Sequence, residues 1–531
     1  MQIRESLIRG AVVADGGGGE PAPADVLVDA RGRIAAVSPP GSIPPADRAT
    51  VDATGLVLAP GFVDVHSHAD NAPLLAEDDT SKILQGVTTE VVGNCGFSLA
   101  PIGPATAAEM TSFSRRIFPP LGMEWRDWSE WTALLDSRGY VTNYAPLVGH
   151  GTLRIAVLGM ADATPDRAQL AEMAGLLDKA LEGGAFGMSS GLVYPPAVFS
   201  ETEELVALAA RLGRERLYTT HMRGEGDSLL QSLAETARIG AEGGCPVHIS
   251  HLKWTGRSNW GRMPEALAAI RRAAEDGLAV SKDIYPYPAG STMLTGLLPP
   301  PFLADGDEGV LARLESAESR RQLAVMMERG LPGWDSHQHS AGWDGVLVST
   351  TASHRYEGRT IAELSAALGE PELDVLVRVL REERLRASMV IFSMDEEDVR
   401  TAFADPDTMV GTDGLPPGTG GKPHPRLFGT FPRILGEYVR KAAVLPLGEA
   451  VRRMTAVPAR TFRIPDRGAV RPGLVADLVA FDPESVGHET DYRDPVRPPT
   501  GIAWVMQAGR LVVDGGRYLG PRSGRRLSPA D

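Results

Sequence analysis

Short apolar runs that end in polar or glycine residues recur through the middle of the chain, and amphipathic segments lie between them. Eight of these runs are predicted strands, near residues 62–65, 89–93, 144–149, 185–189, 217–220, 247–250, 279–284 and 409–412. Segments such as 166–182, 203–216 and 227–243 have the pattern of helices. Strands that alternate with helices favour an α/β fold of the (β/α)8 barrel type, in which catalytic groups lie at the carboxyl ends of the strands.

Both ends of the chain have the pattern of β structure, with glycine-rich turns between apolar runs. The runs are residues 7–13, 25–29, 476–481 and 509–513. We predict that residues 1–57 and 468–531 pair into one small β-sandwich domain beside a barrel formed by residues 58–467. The segment after Tyr518 is rich in Arg, Ser and Pro, a composition that predicts disorder.

The interval between the seventh and eighth predicted strands is much longer than the others. It contains the Pro-rich stretch 297–302 and the Gly-flanked stretch 333–339. We predict an insertion at about residues 290–345 that covers the substrate site as a lid. His337 and His339 have the spacing of a ligand pair, but their polar surroundings predict a solvated loop outside the metal site.

Five residue groups close predicted strands and carry the candidate chemistry: His66-Ser67-His68, Cys95, His221, His251 and Asp413. Side chains two apart on a strand point the same way, so His66 and His68 converge. Imidazole and thiolate are the ligands that zinc prefers, and an aspartate adds an oxygen ligand or a base. One such histidine pair is weak evidence, because buried histidines commonly satisfy hydrogen bonds. Five groups at strand ends predict a metal site.

Composition narrows the partners. The 531 residues include 53 Lys and Arg against 68 Asp and Glu, a net charge of −15, so neither nucleic acid nor an anionic membrane is an expected partner. The first seven residues lack the apolar stretch of a signal peptide, and the chain has only two cysteines. These features predict a cytoplasmic protein without disulfides. An anionic substrate would need particular cations close to the metal.

The motif GFVDVHSH at 61–68 resembles the opening metal motif of the amidohydrolase superfamily. The chain is more closely similar to the N-acyl-D-amino-acid deacylases, or D-aminoacylases, through blocks that follow in that family's order. These are VGNCG at 92–96, GMSSGLVYPP at 187–196, THMRGEGD at 220–227, ISHLK at 249–253, DIYPY at 283–287, GTDG at 411–414 and HPR at 424–426. Two departures are Thr412 before the aspartate and extra residues at 417–422, which affect the loop that carries Arg426.

The resemblance implies an amidohydrolase-type barrel with a tightly held zinc on Cys95, His221 and His251. The thiolate then takes the bridging place that related hydrolases fill with a carboxylated lysine or a glutamate. The resemblance also implies a second, weaker metal position, whose ligands are His66, His68 and Asp413. The implied reaction is hydrolysis of a small N-acyl-D-amino acid to a D-amino acid and a carboxylate.

The residues themselves support that chemistry. Zinc with three protein ligands activates water at neutral pH, and Asp413 is the predicted general base that takes the proton from water and passes it to the leaving amine. Lys253 is two residues after His251 and on the same strand face, Tyr285 ends the seventh strand, and Arg426 follows the aspartate loop. We predict that they bind the substrate carboxylate.

Other residues have weaker predicted roles. The resemblance adds Ser291 to the carboxylate-binding set. Tyr194 is a candidate substrate contact, although aromatic packing is the commoner role of such a residue. His150 could orient a ligand or bind substrate, and Arg223 could bind substrate or shape its loop.

Three alternatives stand beside this hypothesis. Deacylation of N-acyl-D-glutamate or N-acyl-D-aspartate would need a further cation, whereas Leu294, Leu297 and Leu298 beside the predicted lid favour a neutral or hydrophobic side chain. A cyclic-amide hydrolase, such as a hydantoinase or a dihydroorotase relative, would carry a carboxylated lysine where this chain has Cys95. A catalytically silent relative would have lost ligands, and this chain keeps Asp413 and every other predicted one.

Overall fold

We describe a computed structural model that covers residues 5–44, 48–418, 420–520 and 522–529. Its strands are β1 (Ser6–Val13), β2 (Ala22–Val28), β3 (Ile34–Ser38), β4 (Ala49–Asp52), β5 (Val57–Pro60), β6 (Phe62–Asp64), β7 (Val87–Val92), β8 (Asn143–Pro146), β9 (Val148–Gly149), β10 (Gly187–Gly191), β11 (Leu217–His221), β12 (Val247–Ile249), β13 (Val280–Ile284), β14 (Gly290–Met293), β15 (Val346–Thr351), β16 (Arg359–Thr360), β17 (Ala387–Ile391), β18 (Met409–Val410), β19 (Leu478–Phe481), β20 (Ile502–Gln507), β21 (Arg510–Asp514) and β22 (Arg517–Tyr518).

The helices complete the element order. They are α1 (Ala107–Ser114), α2 (Trp128–Arg138), α3 (His150–Leu158), α4 (Arg167–Glu182), α5 (Thr202–Ala209), α6 (Leu229–Gly243), α7 (Met263–Glu275), α8 (Gly306–Glu315), α9 (Ala317–Arg329), α10 (His337–Ala341), α11 (Ile361–Leu368), α12 (Glu372–Glu382), α13 (Glu396–Ala404), α14 (Arg426–Arg433), α15 (Leu447–Met454) and α16 (Ala456–Thr461). A π-helix, Ile434–Lys441, continues α14. Within the described ranges, no helix combines the length and apolar character needed to cross a bilayer.

The barrel wall is formed by the parallel strands β6, β7, β8 with its continuation β9, and then β10, β11, β12, β13 and β18. The wall closes between β18 and β6, where Ser67 and Gly414 form a parallel bridge and the Asp413 amide donates to the His66 carbonyl at 2.7 Å. The predicted (β/α)8 barrel is therefore confirmed. Each predicted run overlaps an observed strand because parallel strands are buried on both faces and so read as continuous apolar sequence.

The two ends of the chain meet in a nine-stranded sheet. Its order is β22-β21-β20-β19-β5-β1-β2-β3, and β4 pairs with the first half of β1. The antiparallel pair β5–β19 joins the N-terminal and C-terminal segments. Because β5 leads through Gly61 straight into β6, this sheet anchors the strand that carries the first predicted ligands.

The insertion after β13 is larger than the predicted lid at 290–345. It contains α8 to α12 and a four-stranded sheet of order β14-β17-β15-β16, and it has a hydrophobic core of its own. Its last strand, β17, ends at Ile391 and pairs with both β14 and β15, so the unit extends through that residue. Leu294, Leu297 and Leu298 are buried in this core, not on a substrate pocket, and the reason given for a hydrophobic pocket was therefore wrong.

Residues 522–529 of the C-terminal tail are docked, so the prediction of disorder was wrong for this described part. The Tyr144 amide donates to the Arg525 carbonyl at 2.9 Å, and the Leu527 amide donates to the Tyr144 carbonyl at 2.8 Å. The Leu527 side chain is 3% exposed and packs with apolar residues of β6, β7 and β8. The tail thus adds a short stretch of backbone to the edge of β8 that does not face β7.

Candidate metal centre

The ends of five barrel strands bring six donor side chains together at the carboxyl end of the barrel. His66 and His68 follow β6, Cys95 follows β7, His221 ends β11, His251 follows β12 and Asp413 follows β18. All six are buried. They form three overlapping groups, and within each group the donor atoms all lie within 4.8 Å of one another. The groups are His66, His68 and Cys95; Cys95, His221 and His251; and His66, His251 and Asp413.

Three of these residues have an unusual backbone conformation. Cys95, His251 and Asp413 have φ angles of 53°, 38° and 47°, in the left-handed region that residues with a side chain seldom adopt. Each sits where its strand turns sharply over the mouth of the barrel. Hydrogen bonds hold the turns in place; for example, the His251 amide donates to the carboxylate of Asp283 at 3.0 Å.

The distances around Cys95 fit a tetrahedral zinc ion. Its Sγ lies 3.4 Å from His251 Nε2 and 3.9 Å from His221 Nδ1. Zinc binds sulfur at about 2.3 Å and nitrogen at about 2.0 Å, so tetrahedral geometry places a sulfur and a nitrogen ligand about 3.5 Å apart. Burial raises the pKa of the Cys95 thiol, but His66 and His251 outweigh burial and hold that pKa well below its usual range. The thiolate form, which binds metal, is therefore favoured.

A second set of donors lies against the first. Asp413 Oδ1 is 3.2 Å from His68 Nε2 and 3.5 Å from His66 Nε2. His66 Nε2 is also 3.3 Å from Cys95 Sγ. One thiolate therefore touches both donor sets, as a bridging ligand between two metal positions would.

Asp283 lies behind the metal ligands. Its Oδ2 is 3.5 Å from His66 Nδ1 and 2.7 Å from His248 Nε2. Burial raises the pKa of this carboxyl, but the two histidines outweigh burial and hold the pKa below its usual range. The carboxylate thus orients the His66 ring, and carboxylates in this position commonly raise the basicity of a metal-binding imidazole.

Arg426 lies against Asp413. Its Nη1 is 2.8 Å from Asp413 Oδ2, its Nη2 donates to the Ser291 carbonyl at 3.0 Å, and its side chain is 1% exposed. Burial raises the pKa of Asp413, but Arg426 and the neighbouring histidines together outweigh burial and hold that pKa well below its usual range. The sequence predicted a substrate contact for Arg426, whereas the structure places it outside the cavity lining that the described residues form. It is the first residue of the short helix α14.

The candidate metal ligands open into a cavity at the barrel mouth. Four of the predicted substrate contacts, Lys253, Tyr285, Ser291 and Tyr194, line it. The buried Tyr285 hydroxyl has no hydrogen-bond partner in the described part of the chain. The Tyr194 hydroxyl hydrogen-bonds with Thr292 at 2.8 Å. Apolar side chains form much of the remaining wall, namely Phe97, Ile117, Met293, Ile391 and Leu415.

Two cavity residues were missed from the sequence. Glu225 is buried between His221, His251 and Lys253. The one signal for it in the sequence is its place between two glycines in the loop that follows His221. His337 was assigned to a solvated loop, but it begins α10 and lines the cavity from the insertion. Burial lowers the pKa of His337 to about 4, so its imidazole is neutral at physiological pH.

His150 and Arg223 serve local structure. The His150 ring lies 2.7 Å from a Glu204 carboxylate oxygen beneath the barrel mouth. Arg223 pairs with Glu235 and donates to the Ser200 carbonyl at 3.0 Å. Arg223 therefore fixes the loop after β10, which favours the second of its two predicted roles.

Comparison with known proteins gives a consistent set of relatives. The model of the amidohydrolase family matches residues 49–287 and 318–513. N-acyl-D-aspartate deacylase of Alcaligenes xylosoxydans xylosoxydans is 35% identical over 99% of this chain and 95% of its own length. D-aminoacylase of the same organism is 36% identical over 98% of this chain and 97% of its own. The crystal structure of N-acyl-D-glutamate deacylase from Bordetella bronchiseptica, complexed with zinc and a phosphonate mimic of the tetrahedral intermediate, has a TM-score of 0.81 and 35% identity, with 99% of each chain covered.

Proposed function

The chain belongs to the amidohydrolase family, and from that premise we propose that it hydrolyses N-acyl-D-amino acids at a zinc centre. The products are a D-amino acid and a carboxylate. The observation that carries this proposal is the thiolate-centred donor set, in which Cys95 lies within reach of His66, His221 and His251. Identity of 36% to a D-aminoacylase and 35% to an N-acyl-D-aspartate deacylase, over nearly the whole chain, supports linear N-acyl substrates over cyclic amides.

Cys95, His221 and His251 would hold the tightly bound zinc, and His66, His68 and Asp413 would form the second, weaker position. Bound zinc supplies Lewis acidity, which makes water nucleophilic at neutral pH and polarises an amide carbonyl. The buried, closely spaced donors support this assignment, because soft thiolate and imidazole ligands favour zinc over magnesium or calcium.

Asp413 is the proposed general base and acid. Its Oδ2 is occupied by Arg426, which leaves Oδ1 facing the histidines and the cavity. An ionised carboxylate only accepts hydrogen bonds, so it can hold the attacking water and take a proton from it. The same oxygen then returns the proton to the amide nitrogen, which leaves as the amine. Arg426 keeps Asp413 ionised and fixes which of its oxygens faces the reaction.

Lys253, Tyr285 and Ser291 are the proposed anchors for the substrate carboxylate. Lys253 supplies a cation, and the Tyr285 hydroxyl has no internal partner to give up. A carboxylate held here places the adjacent scissile amide between the anchors and the metal ligands. Tyr194 would close the opposite wall, where its ring lies 5.0 Å from that of His221.

The substrate side chain is proposed to be neutral or hydrophobic. The cavity wall carries Phe97, Ile117, Met293, Ile391 and Leu415. Lys253 is the lysine of that lining, and it is already paired with Glu225 at 2.6 Å. An acidic side chain would need a second cation, so it is the less favoured substrate class.

The test is amino-acid release from matched N-acetyl derivatives of D- and L-methionine, D- and L-leucine and D-glutamate, using protein of measured zinc content. We expect release from the D-enantiomers of methionine and leucine, with slower release from the D-glutamate derivative. Faster release from N-acetyl-D-glutamate would overturn the side-chain assignment alone. No release from any of the five by zinc-loaded protein would overturn the proposed reaction.

A further inference from the structure

Glu225 occupies a junction among three functional side chains. It lies in the loop after β11 and is 5% exposed. Its Oε2 is 3.4 Å from His221 Nε2, and its Oε1 is 3.2 Å from His251 Nδ1 and 2.6 Å from Lys253 Nζ. We infer that Glu225 is a positioning residue that orients His221 for the tight zinc triad and holds Lys253 between itself and His251. The inference rests on the zinc centre proposed above.

The two histidines face Cys95 through different nitrogens. His221 presents Nδ1 to the sulfur, whereas His251 presents Nε2. A nitrogen that binds metal must be unprotonated, so the hydrogen of each neutral ring lies on the other nitrogen. Of those other nitrogens, His221 Nε2 faces Glu225 Oε2, whereas His251 Nδ1 lies 2.8 Å from Lys253 Nζ and 3.2 Å from Glu225 Oε1. An ammonium only donates hydrogen bonds. Glu225 therefore acts directly on the His221 ring and acts on the His251 ring through Lys253, whose Nζ it holds at 2.6 Å.

Lys253 extends the same unit toward the substrate. Its Nζ lies beside Glu225 Oε1 and also donates to the His251 carbonyl at 3.1 Å. Because Glu225 lies against the Lys253 ammonium and both histidine rings, it fixes the distance between the zinc triad and Lys253, the proposed anchor of the substrate carboxylate. That distance limits the length of substrate that fits between the two.

The insertion holds this loop from above. Asp335 accepts a hydrogen bond from the Gly226 amide at 2.8 Å and from the Ser228 hydroxyl at 2.7 Å. These contacts flank Glu225 without touching a metal ligand. The loop conformation that aims Glu225 therefore depends on the docked insertion.

Glu225→Gln is the informative substitution, because it keeps the shape but leaves only one acceptor oxygen. Its amide group must point its donors either at His221 or at Lys253, so one of these two contacts is lost. Loss of such a supporting contact typically lowers metal affinity about 10–100-fold. Glu204→Gln is the matched control, since Glu204 is also buried between a histidine and an arginine, His150 and Arg154.

The measurement is zinc affinity of each apoprotein by competition with a chromogenic chelator, together with the absorption spectrum of the cobalt-substituted forms. We expect Glu225→Gln to bind zinc about 10–100-fold more weakly than wild type, with a changed thiolate–cobalt band, while Glu204→Gln keeps both properties. Glu225→Asp, which is too short to reach both His221 and Lys253, should show a loss of the same direction, and it carries the test if the glutamine variant does not fold.

Unchanged zinc affinity and an unchanged cobalt spectrum in Glu225→Gln would overturn the inference. An equal loss in Glu204→Gln would also overturn it, because the effect would then come from losing any buried carboxylate. Failure of the wild-type protein to bind zinc at all is a distinct result, which would overturn the proposed metal centre itself.

Discussion

Replacing Asp413 by Asn separates catalysis from metal binding and from stability. Asn has nearly the same shape as Asp and is one of the residues that tolerate the left-handed backbone found at this position, where φ is 47°. The substitution therefore removes a charge and a proton acceptor without adding backbone strain. The donors Cys95, His221 and His251 are untouched, and we expect the variant to retain one zinc ion.

Two losses follow from the contacts of Asp413. A general base typically contributes a factor of about 10²–10⁴ in rate, which corresponds to about 3–5 kcal/mol of activation free energy. Stability falls as well, because Arg426 is 1% exposed and would lose its charged partner. Breaking a buried ion pair on one side costs about 3–5 kcal/mol. The double variant Asp413→Asn/Arg426→Met removes both charges, so it should recover much of the stability while its turnover stays low.

The assay measures kcat for N-acetyl-D-methionine, zinc per chain and the urea midpoint for the wild type, both single variants and the double variant. The free energies of a double-mutant cycle then give the coupling between the two residues. A kcat within tenfold of wild type in zinc-loaded Asp413→Asn would refute the role of Asp413 as the base. A double variant no more stable than Asp413→Asn would refute the explanation through an unpaired Arg426.

Three further predictions use other contacts. Lys253→Met should raise KM for N-acetyl-D-methionine about 10–100-fold, the equivalent of a charge-assisted hydrogen bond, and an unchanged KM would exclude Lys253 as the carboxylate anchor. With zinc bound, a thiol reagent at pH 8 should modify neither cysteine. After chelation of the zinc, Cys95 alone should react, because burial raises the pKa of Cys245 to about 11. Two reactive thiols per folded chain after chelation would contradict the proposed metal site. Leu527→Ala should cost about 2–5 kcal/mol of unfolding free energy, whereas Leu519→Ala, with 50% of the residue exposed, should change it by less than about 0.5 kcal/mol; equal effects would mean that the tail is not docked.

Features with a local cause were predictable from the sequence. The barrel strands are apolar on both faces, so each one appeared as a short uninterrupted run. His66 and His68 converge because strand side chains alternate with a period of two. The polar residues that end these runs indicated the functional end of the barrel. The structure brings Cys95, His221 and Asp413 together there with His66 and His68.

Features with a long-range cause were not predictable in this way. The insertion ends at Ile391 because β17 pairs with two strands that are distant in the sequence. Neither pairing changes the order of apolar and polar residues near β17, so the sequence did not predict this end. Glu225 has a role only once His221 and His251 lie side by side. The ion pair between Arg426 and Asp413 joins two segments that the sequence pattern does not place in contact.

The docked tail has a consequence for how the protein is made. The Arg525 amide donates a hydrogen bond to Oδ1 of Asn143, a residue 382 positions earlier in the chain. At a synthesis rate of 5–20 residues per second, roughly 20–80 s pass between translation of the two. Throughout that time the nascent chain exposes an unpaired edge of β8, and open edges of this kind invite pairing with other chains. We therefore expect that this edge of β8 is covered only after translation of the last segment, although all the wall strands have been made by then.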